Sequence, residues 1–307
     1  MIFQEGISLK NLGSFRIGGR VKLFKEARNV QDLIGSVSLA KKQKEPVFIL
    51  GAGTNILWSD GGFSGLVLRP SMKDIKNDGL EVDVGAGVLV SDLLEFLMSK
   101  RLSGLEWAGG LPGTLGGAIR GNAGAFGGET KDIIAEVTSL DMKTLKIVKR
   151  DNKSCQFAYR NSVFKASGRE VVVWAKLRLK RGDRKLIREE IEKRINYRMT
   201  RHPMEHPNVG SIFKNVNIED VDKKILAGMQ SVIKIDPFPV VPTAYLIAEA
   251  GLKGVSYGGA MVSPKHSNFI VNVLDASSDD VKNLIKLVKS EIFRKFKVNL
   301  EEEILIF

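Results

Sequence analysis

Gly109-Gly-Leu-Pro-Gly-Thr-Leu-Gly-Gly-Ala-Ile-Arg-Gly-Asn-Ala-Gly-Ala-Phe-Gly-Gly128 holds nine glycines in twenty residues and one charged side chain, Arg120. Each glycine gives up roughly 0.5–1 kcal/mol of helix or strand stability relative to alanine. A chain accepts that repeatedly where backbone must take unusual dihedrals or lie hard against something. A flexible linker is the plainer alternative. The run lacks the Ser, Lys and Glu of a solvated linker, however, and its Leu111, Leu115, Ile119 and Phe126 call for burial. The stretch therefore reads as a backbone cradle for a large anionic or planar ligand.

A second, shorter cradle lies upstream. Lys44–Leu50 reads as a buried strand running into Gly51-Ala52-Gly53-Thr54-Asn55. A plain strand-to-loop turn would explain it alone, but two such loops some sixty residues apart suit a ligand with a pyrophosphate and a long planar body. The dinucleotide fingerprint fails, since Ile56 stands where its third glycine belongs, and no Walker A sequence is present.

Composition sets the outer limits. The chain of 307 residues has room for about two domains, and its 43% hydrophobic and 27% charged residues are those of a globular protein. It has no apolar run of transmembrane length, no signal-peptide pattern at its start, and one cysteine, Cys155, so the expectation is a cytoplasmic protein without disulfides. A net charge of +12 favours anionic partners. The densest basic stretch, Lys176–Arg201, has helical spacing and reads as a solvated helix. With 7% aromatics and no stacking motif, nucleic acid is not the expected partner.

Further strands are expected at Leu66–Leu68, Leu80–Val84, Ile134–Asp141, Lys146–Lys149, Val171–Leu179, Ser211–Lys214, Phe269–Val273 and Val298–Phe307. Helices are expected at Ser91–Leu102 (capped by Ser91), Arg184–Arg198 (as a hinge) and Ser278–Phe296 (capped by Ser278). Strict strand–helix alternation is absent, which predicts an α+β fold.

Candidate chemistry is sparse. His202 and His206 are spaced i, i+4, but Pro203 and Pro207 break the helix that a metal site would need, and no metal is expected. Arg160, in Cys155-Gln-Phe-Ala-Tyr-Arg-Asn-Ser-Val-Phe164, is either a buried ion-pair member or an anion-recognising group. Ser211 follows Gly210 but starts no nucleophile elbow, so an ordinary surface serine is an open alternative. Among Glu301, Glu302 and Glu303, period-2 alternation slightly prefers Glu302 as the carboxylate with apolar neighbours.

Taken together, the segments resemble the UDP-N-acetylenolpyruvoylglucosamine reductase family of flavin enzymes. The resemblance is carried by Ser14-Phe-Arg-Ile-Gly-Gly19, Gly51-Ala-Gly-Thr-Asn-Ile-Leu57, Leu111-Pro-Gly-Thr-Leu-Gly-Gly117, Asn122-Ala-Gly-Ala-Phe-Gly-Gly-Glu129 and Phe157-Ala-Tyr-Arg160. It continues through Gly210-Ser-Ile-Phe-Lys-Asn215, Gly251-Leu-Lys-Gly254, Gly258-Gly259, Lys265-His266, Asn268-Phe-Ile270 and Leu300-Glu-Glu-Glu-Ile304, in family order over nearly the whole chain. The short spacing from Arg160 to Ser211 is similar to the class without an extra substrate-covering loop. Thr243-Ala244-Tyr245 departs from the family's frequent small-then-bulky-aromatic pair.

The resemblance implies an FAD-binding domain of the vanillyl-alcohol-oxidase (PCMH) type at residues 16–181 and a smaller α+β substrate-binding domain at 195–307. It places catalytic roles on Arg160, Ser211 and Glu303, against the period-2 preference for Glu302. Non-covalent FAD would be held by Gly51, Ala52, Gly53, Thr54, Asn55, Ile56, Gly113, Thr114, Gly117, Asn122, Ala123, Gly124, Ala125 and Tyr159. Substrate would meet Lys214, Asn215, Lys265 and His266. The implied partners are NADPH and UDP-N-acetylglucosamine enolpyruvate, acted on by a monomer. Another FAD oxidoreductase of the same fold, acting on a small alcohol or hydroxy acid, and a nucleotide-binding protein without redox chemistry are the rival readings.

Overall fold

In the computed structural model, residues 2–235 and 238–307 are described. Strands and helices are mixed in an α+β arrangement, and the chain divides into two compact units. One comprises Met1–Ile7, Val21–Ala52 and Phe63–Tyr197; the other comprises Ser8–Arg20, Gly53–Gly62 and Arg198–Phe307.

The first unit contains two main sheets. In the smaller, Val21–Ala27, Phe63–Pro70 and Val47–Ile49 run parallel, with Gln4–Glu5 antiparallel on the outer edge. Helix Val30–Lys42 is capped by Asn29, whose side chain accepts from the Asp32 amide, and it buries Leu33, Val37 and Ala40 against Ala27, Leu66 and Leu68. The larger sheet is antiparallel in the order Ile147–Asp151, Ile134–Asp141, Glu170–Arg178, Glu81–Gly85, Ile75–Asp78. Its central strand Glu170–Arg178 buries Val171 and Val173 in one core cluster and Val172, Ala175 and Leu177 in another, because both of its faces are covered. Helix Val90–Ser99 contributes Leu93, Leu94 and Leu97 to that core, as its spacing predicts. Ser91 is not its cap: the helix begins one residue earlier, and the Ser91 hydroxyl bonds Asp92 instead.

The second unit is built around helix Ser278–Phe296. Val281, Leu284, Ile285, Val288, Ile292 and Phe296 form its buried stripe, each contributing about 1.5–3 kcal/mol of apolar burial. Ser277, not Ser278, caps it in a capping box with Asp280. Ser278 instead gives both its amide and its hydroxyl to Asp60. The core that receives this stripe includes Phe15, Ile17 and Leu57 from the two early segments. A three-stranded antiparallel sheet, Ser256–Tyr257, Ala260–Val262 and Ile270–Asn272, packs beside the helix.

The expected long terminal strand is mostly irregular. Only Leu305–Ile306 is a strand, and it runs parallel to Ile56–Leu57. Similarly, Ser211–Lys214 is not a strand but a segment with one bridge, Phe213 to Glu302. Both segments are held by side-chain hydrogen bonds as much as by a ladder, which period-2 reasoning cannot register.

Gly53 fixes one crossing of these segments. Its φ is +71°, and a Cβ there would lie 2.2 Å from the Leu12 carbonyl oxygen. Gly53→Ala is therefore expected to destabilise the protein by roughly 2–4 kcal/mol. Thermal denaturation should show this as a Tm drop of roughly 5–10 °C.

Candidate functional site

Within the first unit the two glycine loops meet. A Cβ on Gly51 would lie 3.0 Å from the Thr114 hydroxyl oxygen, and Ala52 follows directly. Thr114 caps helix Leu115–Gly121, its hydroxyl accepting from the Gly117 amide at 3.4 Å. Gly113, at φ +118°, turns the chain into this cap where no L side chain sits comfortably. The glycines divide into two kinds. Gly116 is pressed on Ala86 and Gly128 on the Trp107 indole, where a Cβ would come within 2.9 and 2.3 Å, so these serve the protein's own packing. Gly121 has nothing within 4 Å of its Cβ direction, and Gly117 only the Thr114 hydroxyl at 3.6 Å. An open floor of backbone beside Gly51 and Thr114 is what a flavin nucleotide needs, so these residues fit FAD.

Asn122 closes the helix in the left-handed region at φ 43° and is fully buried. Its amide nitrogen donates to the Ala158 carbonyl at 3.1 Å, and its amide oxygen accepts from the Lys131 amide at 3.0 Å. Ala123 accepts both the amide and the hydroxyl of Thr130. Gly124–Ala125 pairs with Gly128–Glu129 across Phe126 and Gly127, both at positive φ, in a primed hairpin turn.

The segment carrying Arg160 is stitched to that run at three points. Asn122 holds Ala158, the Ser162 hydroxyl donates to the Arg120 carbonyl at 2.7 Å, and Arg160 Nη2 donates to the Gly124 carbonyl at 3.0 Å. Ala158 and Asn161 exchange backbone hydrogen bonds at 3.0 Å, leaving Tyr159 and Arg160 at the tip of a tight turn. Arg160 has φ 52°, in a region that costs a non-glycine residue of order 1–3 kcal/mol. Its guanidinium lies over the Tyr159 ring, 5.2 Å from the centroid.

The second unit gathers the remaining site residues. The Gly53 carbonyl accepts from the Ser14 amide, and the Ser14 hydroxyl reaches the Asn208 carbonyl at 2.6 Å. Thr54 is half-buried and Ile56 is buried in the pairing with Leu305. Asn55 binds the C-terminal segment twice: its side chain donates to the Glu303 carbonyl at 3.2 Å, and its own carbonyl accepts from the Leu305 amide.

Ser211 follows Gly210, at φ 81°, and its neighbours are clamped from two sides. Buried Asn268 exchanges side-chain hydrogen bonds with the Phe213 backbone, and its carbonyl accepts from the Ile212 amide. On the other side the Glu303 amide donates to the Ile212 carbonyl at 2.8 Å. Ser211 and Glu303 thus sit on adjacent, mutually bonded backbones. Glu302 is engaged by Lys289 at 2.8 Å, and Glu301 pairs with Lys214. Asn215 and Lys214 are fastened to Thr243, through the Asn215 side chain and the Lys214 carbonyl.

Lys265 donates to the Met199 carbonyl at 2.9 Å and to Glu205 at 3.3 Å. His266 stands with His202 and Phe269 in a cluster of ring contacts, 4.7–5.3 Å between centroids. Burial pushes His202 down to about 4, with His266 and Arg198 adding to it. Burial also pushes His266 down to about 4, partly offset by its backbone hydrogen bond. The unfolded chain accepts two protons near pH 6.5 that the folded state refuses until about pH 4. Stability is thus complete above pH 6.5 and falls as pH is lowered through that window. Denaturant melts should show a loss of roughly 2–4 kcal/mol across it, discounted for solvent screening, and His202→Phe should remove about half.

The comparisons with known proteins bear on the whole chain. A family profile described as "UDP-N-acetylenolpyruvoylglucosamine reductase, C-terminal domain" matches residues 202–307, and one described as "FAD binding domain" matches 21–148. The UDP-N-acetylenolpyruvoylglucosamine reductase of Clostridioides difficile is 35% identical over 299 residues, covering 95% of this chain and 89% of that protein. The chain belongs to the UDP-N-acetylenolpyruvoylglucosamine reductase family. The enzyme of that name from Prochlorococcus marinus is also 35% identical, over 98% of this chain and 96% of its own length. The crystal structure of the UDP-N-acetylenolpyruvylglucosamine reductase from Thermus caldophilus superposes with a TM-score of 0.79 at 27% identity, covering all of both chains.

Proposed function

We infer that the chain reduces UDP-N-acetylglucosamine enolpyruvate to UDP-N-acetylmuramate with NADPH and non-covalent FAD, a step in peptidoglycan precursor synthesis. The observation that carries this is the match, over nearly the whole chain, to reductases of that name together with the FAD-binding profile. The first unit is assigned the cofactor and the second the substrate. This follows from the open glycine floor at Gly51, Thr114 and Gly117 in the one and the Ser211–Glu303 pairing in the other. The assignment includes a monomer working in the cytoplasm, where NADPH and UDP-activated sugars are found.

FAD, held at Gly51, Thr114 and Gly117, would supply the hydride-transfer chemistry between NADPH and the enolpyruvyl methylene carbon, C3. Negative charge then develops at C2 and its carboxylate. The Arg160 guanidinium, held by Gly124 and Tyr159, stabilises that charge in a position set before substrate arrives. Ser211 delivers the proton to C2, so hydride and proton together saturate the double bond. Glu303, on the backbone beside Ser211, is assigned to the same carboxylate as a hydrogen-bond donor in its acid form, since an ionised glutamate would repel it. Lys214 and Asn215, fastened to Thr243, and Lys265 and His266 supply the wall on which the UDP-sugar is ordered.

The visible spectrum tests the reading. Purified protein should be yellow, bleach with NADPH under anaerobic conditions, and recover its colour on adding UDP-N-acetylglucosamine enolpyruvate. Protein that remains colourless after reconstitution with FAD refutes it. Rapid re-oxidation by oxygen with indifference to the UDP-sugar would place the chain with oxidases instead.

A further inference from the structure

We propose that Lys165 is a positioning residue for Arg160, acting through the Arg160 main chain; this rests on the role just assigned to Arg160. Lys165 Nζ donates to the Arg160 carbonyl oxygen at 2.8 Å. The bond is charge-assisted, and it falls on the one peptide of the turn whose residue is forced into the left-handed region, at φ 52°. An arginine at this corner has no intrinsic reason to stay there, because glycine and asparagine are the residues that visit it readily. Something outside the turn must hold it.

Lys165 is itself well placed to do so. It lies on the short helix Val163–Ser167, capped by Ser162, whose hydroxyl accepts from the Lys165 amide and donates to the Arg120 carbonyl. Phe164, beside it, is buried in the core of the first unit. The lysine stem therefore rises from an anchored turn, and its ammonium fixes the carbonyl end of Arg160 while Gly124 fixes the guanidinium end. An arginine held at its main chain and at its guanidinium has little freedom left to lose when substrate binds.

The test is Lys165→Met, which keeps the apolar stem and removes the donor. FAD retention and flavin reduction by NADPH should remain within about twofold of normal, whereas flavin re-oxidation by the enolpyruvyl substrate should slow roughly ten- to hundredfold. Calorimetry on the oxidised protein should show weaker binding of the enolpyruvyl substrate and unchanged binding of UDP-N-acetylglucosamine, which has no carboxylate for Arg160. Lys165→Arg, with a cationic donor of similar reach, should restore most of the rate. Combining Lys165→Met with Arg160→Lys should add little to Arg160→Lys alone.

Equal slowing of both half-reactions, or loss of affinity for both UDP-sugars, overturns the proposal and makes Lys165 a structural support. Arg160→Lys separates the two levels. Slow re-oxidation in Arg160→Lys with normal behaviour in Lys165→Met overturns the proposal alone. Normal re-oxidation in both overturns the role of Arg160 as well.

Discussion

Ser211→Ala protein should bleach with NADPH at close to the normal rate and then recover its colour with the enolpyruvyl substrate roughly 10²–10⁴-fold more slowly. The asymmetry follows from the position of Ser211. Its neighbours are held by Asn268 on one side and by Glu303 on the other, through main-chain groups that alanine leaves untouched. Among the described residues its hydroxyl makes no hydrogen bond, so the fold loses little. In the role proposed for Ser211, what disappears is a proton donor needed only after hydride has reached the substrate. Ser211→Cys, which keeps an acidic proton at that point, should retain a substantial part of the second half-reaction. Stopped-flow measurement of the two half-reactions decides the matter; equal slowing of both would make Ser211 structural.

The second large effect separates neighbouring carboxylates. If Glu303 acts in the role proposed for it, Glu303→Gln should slow re-oxidation by roughly 10²–10³-fold, because an amide cannot give up the acid proton that would neutralise charge developing at the substrate carboxylate. Glu302→Gln should leave turnover within about twofold, because Glu302 is engaged with Lys289 in a partly exposed pair. Breaking such a pair costs at most about 1 kcal/mol of stability. The same two half-reactions, measured beside thermal melts, give the comparison. The reverse pattern would return the role to Glu302, the residue that alternation along the strand prefers.

That pair of glutamates shows where reading the sequence stops. Alternation places Glu302 among apolar residues, but the terminal segment is largely irregular, and Lys289, thirteen residues upstream, takes the carboxylate. Long regular elements are legible because their signal is local. The stripe and both ends of helix Ser278–Phe296 follow from its own residues, and only the cap moves by one place to Ser277. The glycine run is legible as a cradle, yet not the division of labour within it. Nothing local distinguishes Gly121, which faces open space, from Gly128, which faces Trp107. Ser91 and Ser278 look like caps because both are serines before apolar periodicity, and a serine at the first or second position of a helix looks the same. The support of Arg160 by Lys165 escapes for a further reason: it is a bond to a main-chain oxygen, which no residue pattern encodes.

The pairing of Asn55 with Glu303 closes a span of 248 residues. Closing a loop that long costs about 3 kcal/mol more than closing one of ten residues, a slow growth for so large an increase in length. The search for that contact is another matter, since distant pairings are the slow events of folding. A fragment beginning at Arg198 would lack Phe15, Ile17 and Leu57 from its core and the strand Ile56–Leu57 that Leu305–Ile306 pairs with. The C-terminal unit is thus not a piece that can be cut from the chain and refolded. Its core is complete only once residues from the beginning and the end of the chain have come together.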